Sequence, residues 1–203
     1  MAALSEWESK LALGDVPRPR ERLTATAAEA VAFARTLGGP VVAKASGPVH
    51  KTERGGVRTR LGPEGLASVW EELAALGDGR VLVAEQVEAD YELIVGGVRD
   101  PQFGPVVSVG LGGVAAELLR DVTFLLAPPR PGELELALAE LRCAPLLRGW
   151  RGAPPADRAE LTRIVAAVSR LLEEDEEVVE VDCNPVMVRG GRPLVVDALV
   201  VRR

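Results

Sequence analysis

The chain has 203 residues, 47% of them apolar and 27% charged, a balance that excludes disorder, collagen-like repeats and a disulfide scaffold. Thirty acidic against 24 basic residues give a net charge of -6, which argues against non-specific DNA or RNA binding, since that needs a cationic face. No apolar run reaches the ~20 residues of a membrane span, MAALSEWESK lacks a signal-peptide pattern and Cys143 and Cys183 form no CxxC set, so a cytoplasmic, membrane-free protein with reduced thiols is expected.

An amphipathic helix is expected over 4–13, stopped by Gly14 and the Pro17/Pro19 pair. Thr26 as N-cap, Glu29 three residues on and Gly38-Gly39 at the end bracket a helix over 26–37. After Pro40, VVAK reads as a short buried strand ending at Lys44, and SGPVHKTERGG (46–56) as loop. VRTRL (57–61) alternates like a strand, and a helix follows over 63–76. Strands are expected at 80–87, 93–98 and 105–109, then a Gly-rich turn, GLGG (110–113), and a strand at 122–127. Helices are expected at 132–142 and 155–173, the second running into a solvated acidic stretch, EEDEE (173–177). VVEVDCNPVMV (178–188) and PLVVDALVV (193–201), joined at Gly190-Gly191, read as a β-hairpin. No repeat and no clear linker divides the chain.

Two glycine patterns carry little weight. In GPVHKT (47–52), His50 stands where a phosphate loop needs Gly, and a side chain there obstructs the backbone wrap. GLGGVA (110–115) fits a dinucleotide fingerprint, but no alternating strand–helix series surrounds it, and a tight turn is the simpler reading.

The basic residues are 21 Arg and three Lys (Lys10, Lys44 and Lys51), and the one histidine is His50. Arg and Lys are not interchangeable, so retained lysines mark places that want a compact ammonium. Lys44 at a strand end either snorkels to solvent or points its charge into a cleft at the sheet edge. His50 is either an incidental loop residue or a nitrogen nucleophile able to carry a phosphoryl group. Across the terminal hairpin, Asp182, Asn184 and Asp197 offer hard oxygens of the kind Mg²⁺ takes. Asn184-Pro185 reads equally as a turn initiator, and Asp197 as a solvated strand residue. Cys183 between them reads as a small buried hydrophobe.

Nearly the whole chain resembles the ATP-grasp domain of the nucleoside-diphosphate-forming acyl-CoA synthetases, the group of the ADP-forming acetyl-CoA synthetase beta subunits and, further off, the succinyl-CoA synthetase beta subunit. The segments that carry the likeness are LSEWESKLAL (4–13), VPRPRERLT (16–24), PVVAK (40–44), HKTERGGV (50–57), ELIVGGVRDPQFGPVVSVGLGGVAAELLRDVTFLLAP (92–128), APLLRGWRGAPPAD (144–157) and VEVDCNPVMV (179–188). The resemblance implies an α+β ATP-grasp fold, one module over 1–203. Its parts would be an N-terminal helix and linker (1–21), a small lobe (22–86) and a large lobe (87–203) enclosing ATP or ADP.

By the same resemblance, Lys44 contacts the nucleotide phosphates, Glu85, Gln86 and Val87 form the adenine hinge, and Glu92 is an acid near the nucleotide. Asn184 and Asp197 match magnesium ligands, with Asp182 a third candidate. His50 matches a phosphoryl-relaying histidine on a swinging loop, with Lys51 beside it and Gly55 and Gly56 closing the loop. Gly112, Gly113, Glu117 and Asp121 match the family's Gly turn and its following acids. What it implies is an acid–thiol ligase subunit that exchanges phosphate between His50 and Mg-ADP/ATP. A CoA-binding alpha subunit, whose Rossmann and acyl-phosphate domains this chain lacks, would handle CoA and the small acyl substrate. The interval from Lys44 to His50 is slightly shorter than the family's, the feature that favours the alternative of a regulatory nucleotide-binding module beside an acetyltransferase. A carboxylate–amine ligase is a third reading, against which His50-Lys51 and DPQFGP (100–105) argue.

Overall fold

The computed structural model describes residues 1–47, 55–113 and 119–203. The chain divides into a larger unit (Met1–Leu4, Glu8–Arg18 and Glu88–Arg203) and a smaller one (Ser5–Trp7 and Pro19–Val87). It opens with β1 (Ala2–Ala3) and α1 (Glu6–Leu13).

The smaller unit holds β2 (Glu21–Thr24), α2 (Ala27–Leu37), β3 (Val41–Ala45), β4 (Val57–Leu61), α3 (Pro63–Ala75) and β5 (Val81–Glu85). Its four strands run antiparallel in the order β2-β5-β3-β4. The capping box of α2 forms as read from sequence: Thr26 Oγ1 accepts from Glu29 N at 3.2 Å and Glu29 Oε2 from Ala25 N at 2.9 Å. Val41, Ala43, Val81 and Val83 pack one sheet face against Ala30, Ala34, Leu66 and Leu73 of the two helices. Strand alternation therefore turns Val42 and Lys44 to the opposite face. The sequence reading missed β2, which lay within or beside its N-terminal linker. Four residues of ERLT hold few apolar side chains, and the strand exists because β5 pairs with it.

The larger unit continues with β6 (Tyr91–Asp100), β7 (Gly104–Leu111), β8 (Val122–Leu126), α4 (Glu133–Glu140), α5 (Ala144–Leu147), α6 (Arg158–Glu174), β9 (Val178–Arg189), β10 (Arg192–Val195) and β11 (Leu199–Arg202). Its seven-stranded antiparallel sheet has the order β1-β11-β9-β6-β7-β8, with β10 also on β9. Leu161, Ile164, Val165, Val168 and Leu172 make a buried stripe along α6 and press it onto one sheet face. Gly97 lets the helix lie close: a Cβ there would sit 2.6 Å from Leu172 Cδ1 and 2.9 Å from Val106 O. The Arg99 guanidinium closes the same C-terminal end of α6, donating to the carbonyls of Leu172, Asp175 and Val178.

Two expectations need correction. PLVVDALVV is not one strand of a simple hairpin, because it breaks at 196–198 into β10 and β11, which pair with opposite ends of β9. Asn184-Pro185 is not a turn but lies inside β9, with a cis peptide bond. Among the described residues, no helix is long and apolar enough to cross a membrane.

Candidate functional site

The break between β10 and β11 sets the positions of the candidate metal-binding residues of the larger unit. Leu199 pairs with Asp182 and Val195 with Val186, so Asp197 falls opposite Asn184 where the ladder is interrupted. The Asp197 carboxylate accepts from Ala198 N at 2.9 Å. The segment is braced on both sides by α1: Lys10 Nζ donates to Val196 O at 2.9 Å, and Val200 N donates to Ser9 Oγ at 3.0 Å. Ser9 and Lys10 are both fully buried. Neither was singled out as a site residue from sequence; the scarcity of lysines was the one available signal for Lys10.

Along β9, Val181 and Cys183 enter the core while Glu180, Asp182 and Asn184 share the other face. Burial, reinforced by the neighbouring Glu180, raises the Asp182 carboxyl above the usual carboxylate range, and a hydrogen bond from the Asn184 side chain opposes the rise. Burial also pushes the Cys183 thiol up to about 12, aided by Asp182 and Asp197 and resisted by Lys10. Such a thiol is an inert core residue, as its reading from sequence had it.

Asp182 faces Gly96 of β6, which in turn faces Ser108 of β7. A Cβ on Gly96 would lie 3.2 Å from Val181 O, 3.3 Å from Ser108 Oγ and 3.7 Å from Asp182 Oδ1, so a side chain there would crowd both the hydroxyl and the carboxylate. Ser108 was missed, although a lone polar residue inside PVVSVG was a visible signal. Farther along β6, Gly112 N donates to Glu92 O at 2.8 Å, and a Cβ on Gly113 would come within 2.8 Å of Glu92 Oε2. The Glu92 carboxylate thus lies against the Gly turn.

Asp121 has a structural task instead. Its carboxylate accepts from Arg142 N at 2.7 Å and Cys143 N at 2.6 Å, tying the end of α4 to α5. Burial alone would raise this carboxyl, but the two backbone donors outweigh it and hold it below the usual range. The folded-state value is depressed, so the stabilisation is present at neutral pH and is lost as pH falls through the acid range. Asp121→Asn is expected to cost about 3 kcal/mol at neutral pH in chemical denaturation, the loss shrinking toward zero in acid.

In the smaller unit, Lys44 is buried on the sheet face away from the helices, and its Nζ donates to Glu6 Oε1 at 2.8 Å. The hinge candidates close the adjoining strand. Glu85 N donates to Arg20 O at 2.9 Å and Gln86 N to Pro40 O at 3.1 Å, so both amides serve the fold. The Glu85 carboxylate pairs with Arg20 at 3.2 Å, Gln86 Oε1 accepts from Arg60 N at 3.1 Å, and Val87 is buried. Gly56 O accepts from Ala45 N at 2.8 Å beside Lys44, and Gly55 is left-handed at φ 67°. His50, Lys51 and Glu117 lie outside the described residues.

The donor set suits magnesium. Among the described residues no three His, Cys, Asp or Glu side chains cluster as a metal site. An amide oxygen with one or two carboxylates is nonetheless what Mg²⁺ accepts when phosphate oxygens and water complete its shell.

Residues 2–201 match the ATP-grasp domain family. The chain belongs to that family. It is 34% identical over 215 residues to the acetate–CoA ligase (ADP-forming) II subunit beta of Pyrococcus furiosus, spanning 98% of this chain and 91% of that subunit. It is also 40% identical over 179 residues to acetate–CoA ligase (ADP-forming) I of Archaeoglobus fulgidus, covering 83% of this chain but 26% of that protein. The ATP-grasp chain thus matches 91% of a beta subunit in one relative and about a quarter of a longer enzyme in the other. Among solved structures it superposes on Ca. Korarchaeum cryptofilum ACD1 in complex with coenzyme A, with TM-score 0.89, 37% identity, and 99% and 93% of the two chains covered. It also superposes on dinucleotide-forming acetyl-coenzyme A synthetase 1 of the same organism in complex with coenzyme A and Mg-AMPPCP, whose phosphohistidine segment points towards the nucleotide-binding site (TM-score 0.83, 37% identity, 98% and 92% covered).

Proposed function

We propose that this chain is the nucleotide-binding part of an ADP-forming acyl-CoA synthetase, exchanging a phosphoryl group between His50 and Mg-ADP/ATP. The observation that carries the reading is the register that sets Asn184 opposite Asp197, with Asp182 on the same strand face as Asn184. Phosphoryl transfer needs positioning and charge neutralisation more than covalent help from the protein. In the smaller unit Lys44 would meet phosphate charge, and in the larger unit Asn184, Asp197 and Asp182 would hold Mg²⁺, which when bound neutralises phosphate charge. The neutral imidazole of His50 supplies the nitrogen that bonds to phosphorus as the P–O bond to the departing phosphate or carboxylate oxygen breaks. CoA and the acyl group belong to a CoA-binding alpha partner.

Intact-mass measurement at neutral pH after incubation with Mg-ATP tests this reading. One acid-labile phosphoryl adduct is expected. A chain without adduct, even with its CoA-binding partner present, would point instead to a regulatory nucleotide-binding module. Lys44→Ala is expected to weaken Mg-ADP binding about 10- to 100-fold by calorimetry, the range for losing a charge-assisted bond to phosphate. Unchanged affinity would remove Lys44 from the site.

A further inference from the structure

Glu6 stands on the first turn of α1, in the smaller unit, with its side chain 1% exposed, and its partner Lys44 is 10% exposed. An ion pair this deep is a poor device for stability, because desolvating two charges costs about what their attraction returns. The pair does something else well. A buried ammonium in apolar surroundings loses its proton readily, whereas a carboxylate within hydrogen-bond reach keeps it charged. The strand neighbours of Lys44 are Leu82 on β5 and Val57 on β4, both apolar. Among the described residues, further charged groups lie on or near this side of the sheet. Glu21 on β2 is in register with Ala84 of β5, and past the strand ends Asp78 is held by Arg80 and Ser46. Arg58 projects elsewhere, pairing with Glu72 of α3.

We propose that Glu6 is a positioning residue for Lys44, its buried carboxylate keeping the ammonium charged and fixed so that it can meet a nucleotide phosphate. The ligand in this statement rests on the proposed function; the state of the lysine does not. An ammonium has three N–H donors, so the bond to Glu6 is compatible with bonds from the same nitrogen to phosphate.

Glu6→Gln separates charge from shape, since the amide oxygen can still accept from Lys44 Nζ. With only three lysines in the chain, ¹³Cε-lysine NMR of the full protein follows each one, and Lys44→Arg assigns the signal. In the unaltered protein, Lys44 is expected to titrate at or above an ordinary exposed lysine. In Glu6→Gln, its midpoint is expected to fall by more than about two pH units, within the ~3–5 units that burial can impose on a lysine. Mg-ADP affinity, level between pH ~7 and ~9 in the unaltered protein, is then expected to drop about tenfold across that interval in Glu6→Gln, because the cation disappears as pH rises. Glu6→Asp, which keeps the charge, is expected to restore the level profile, as a purely structural role would not require. An unaltered Lys44 midpoint and a level profile in Glu6→Gln would overturn the proposal. So would a Lys44 midpoint below that of an exposed lysine in the unaltered protein, a result readable even if Glu6→Gln fails to fold. Failure of the unaltered protein to bind Mg-ADP would strike the nucleotide reading instead, and the lysine titration would still decide the pair.

Discussion

Replacing His50 by Ala is expected to abolish the phosphoryl adduct completely and to lower turnover of the enzyme reconstituted with its CoA-binding partner by at least about a thousandfold. The chemistry leaves no substitute. His50 is the one histidine in 203 residues, and lysine and arginine side chains in general are poor nucleophiles near neutral pH because they ordinarily carry a proton there. Imidazole is the side chain that is both neutral and nucleophilic there. The two readouts separate roles. Loss of the adduct together with retained Mg-ADP affinity assigns His50 to transfer. Loss of affinity as well would assign it to binding. An adduct that survives in His50→Ala, mapped by peptide sequencing to another residue, would overturn the relay.

Much of the fold was legible because local signals agreed. Thr26, Glu29 and Gly38 bracket α2 as the capping rules require, and the apolar stripe of α6 repeats at helical spacing. What stayed hidden depends on partners far along the chain. Glu6, Ser9 and Lys10 fall three and four residues apart and read as a solvent face, yet all three are buried. Their reasons lie 38 residues away for Glu6 and 186 for Lys10, at Lys44 and at the Val196 carbonyl. PLVVDALVV likewise reads as one strand, since nothing local marks a change of partner. Only the pairing of β10 and β11 with different ends of β9 reveals the break at Asp197. The site residues named from sequence came chiefly from the resemblance, whereas Ser108, Glu6 and Ser9 emerged from geometry.

That break makes Asp197 the site of the second large effect. Asp197→Ala is expected to raise the magnesium concentration for half-maximal nucleotide binding by at least about a hundredfold, and Asn184→Ala by roughly a tenth of that factor. Removing groups that only orient a metal ligand already costs about 10- to 100-fold, so loss of a charged ligand costs more. An amide oxygen contributes a dipole where the carboxylate contributes a full charge, hence the smaller factor for Asn184. Asp182 supplies an internal comparison. Burial and Glu180 raise its carboxyl, so it releases its proton to a metal less readily, and Asp182→Asn is expected to perturb the titration less than Asp197→Ala. Calorimetric titration of Mg²⁺ into variant and ADP decides the order. If Asp182→Asn proves the most damaging, the principal metal carboxylate sits on β9 rather than at the crossover between β10 and β11.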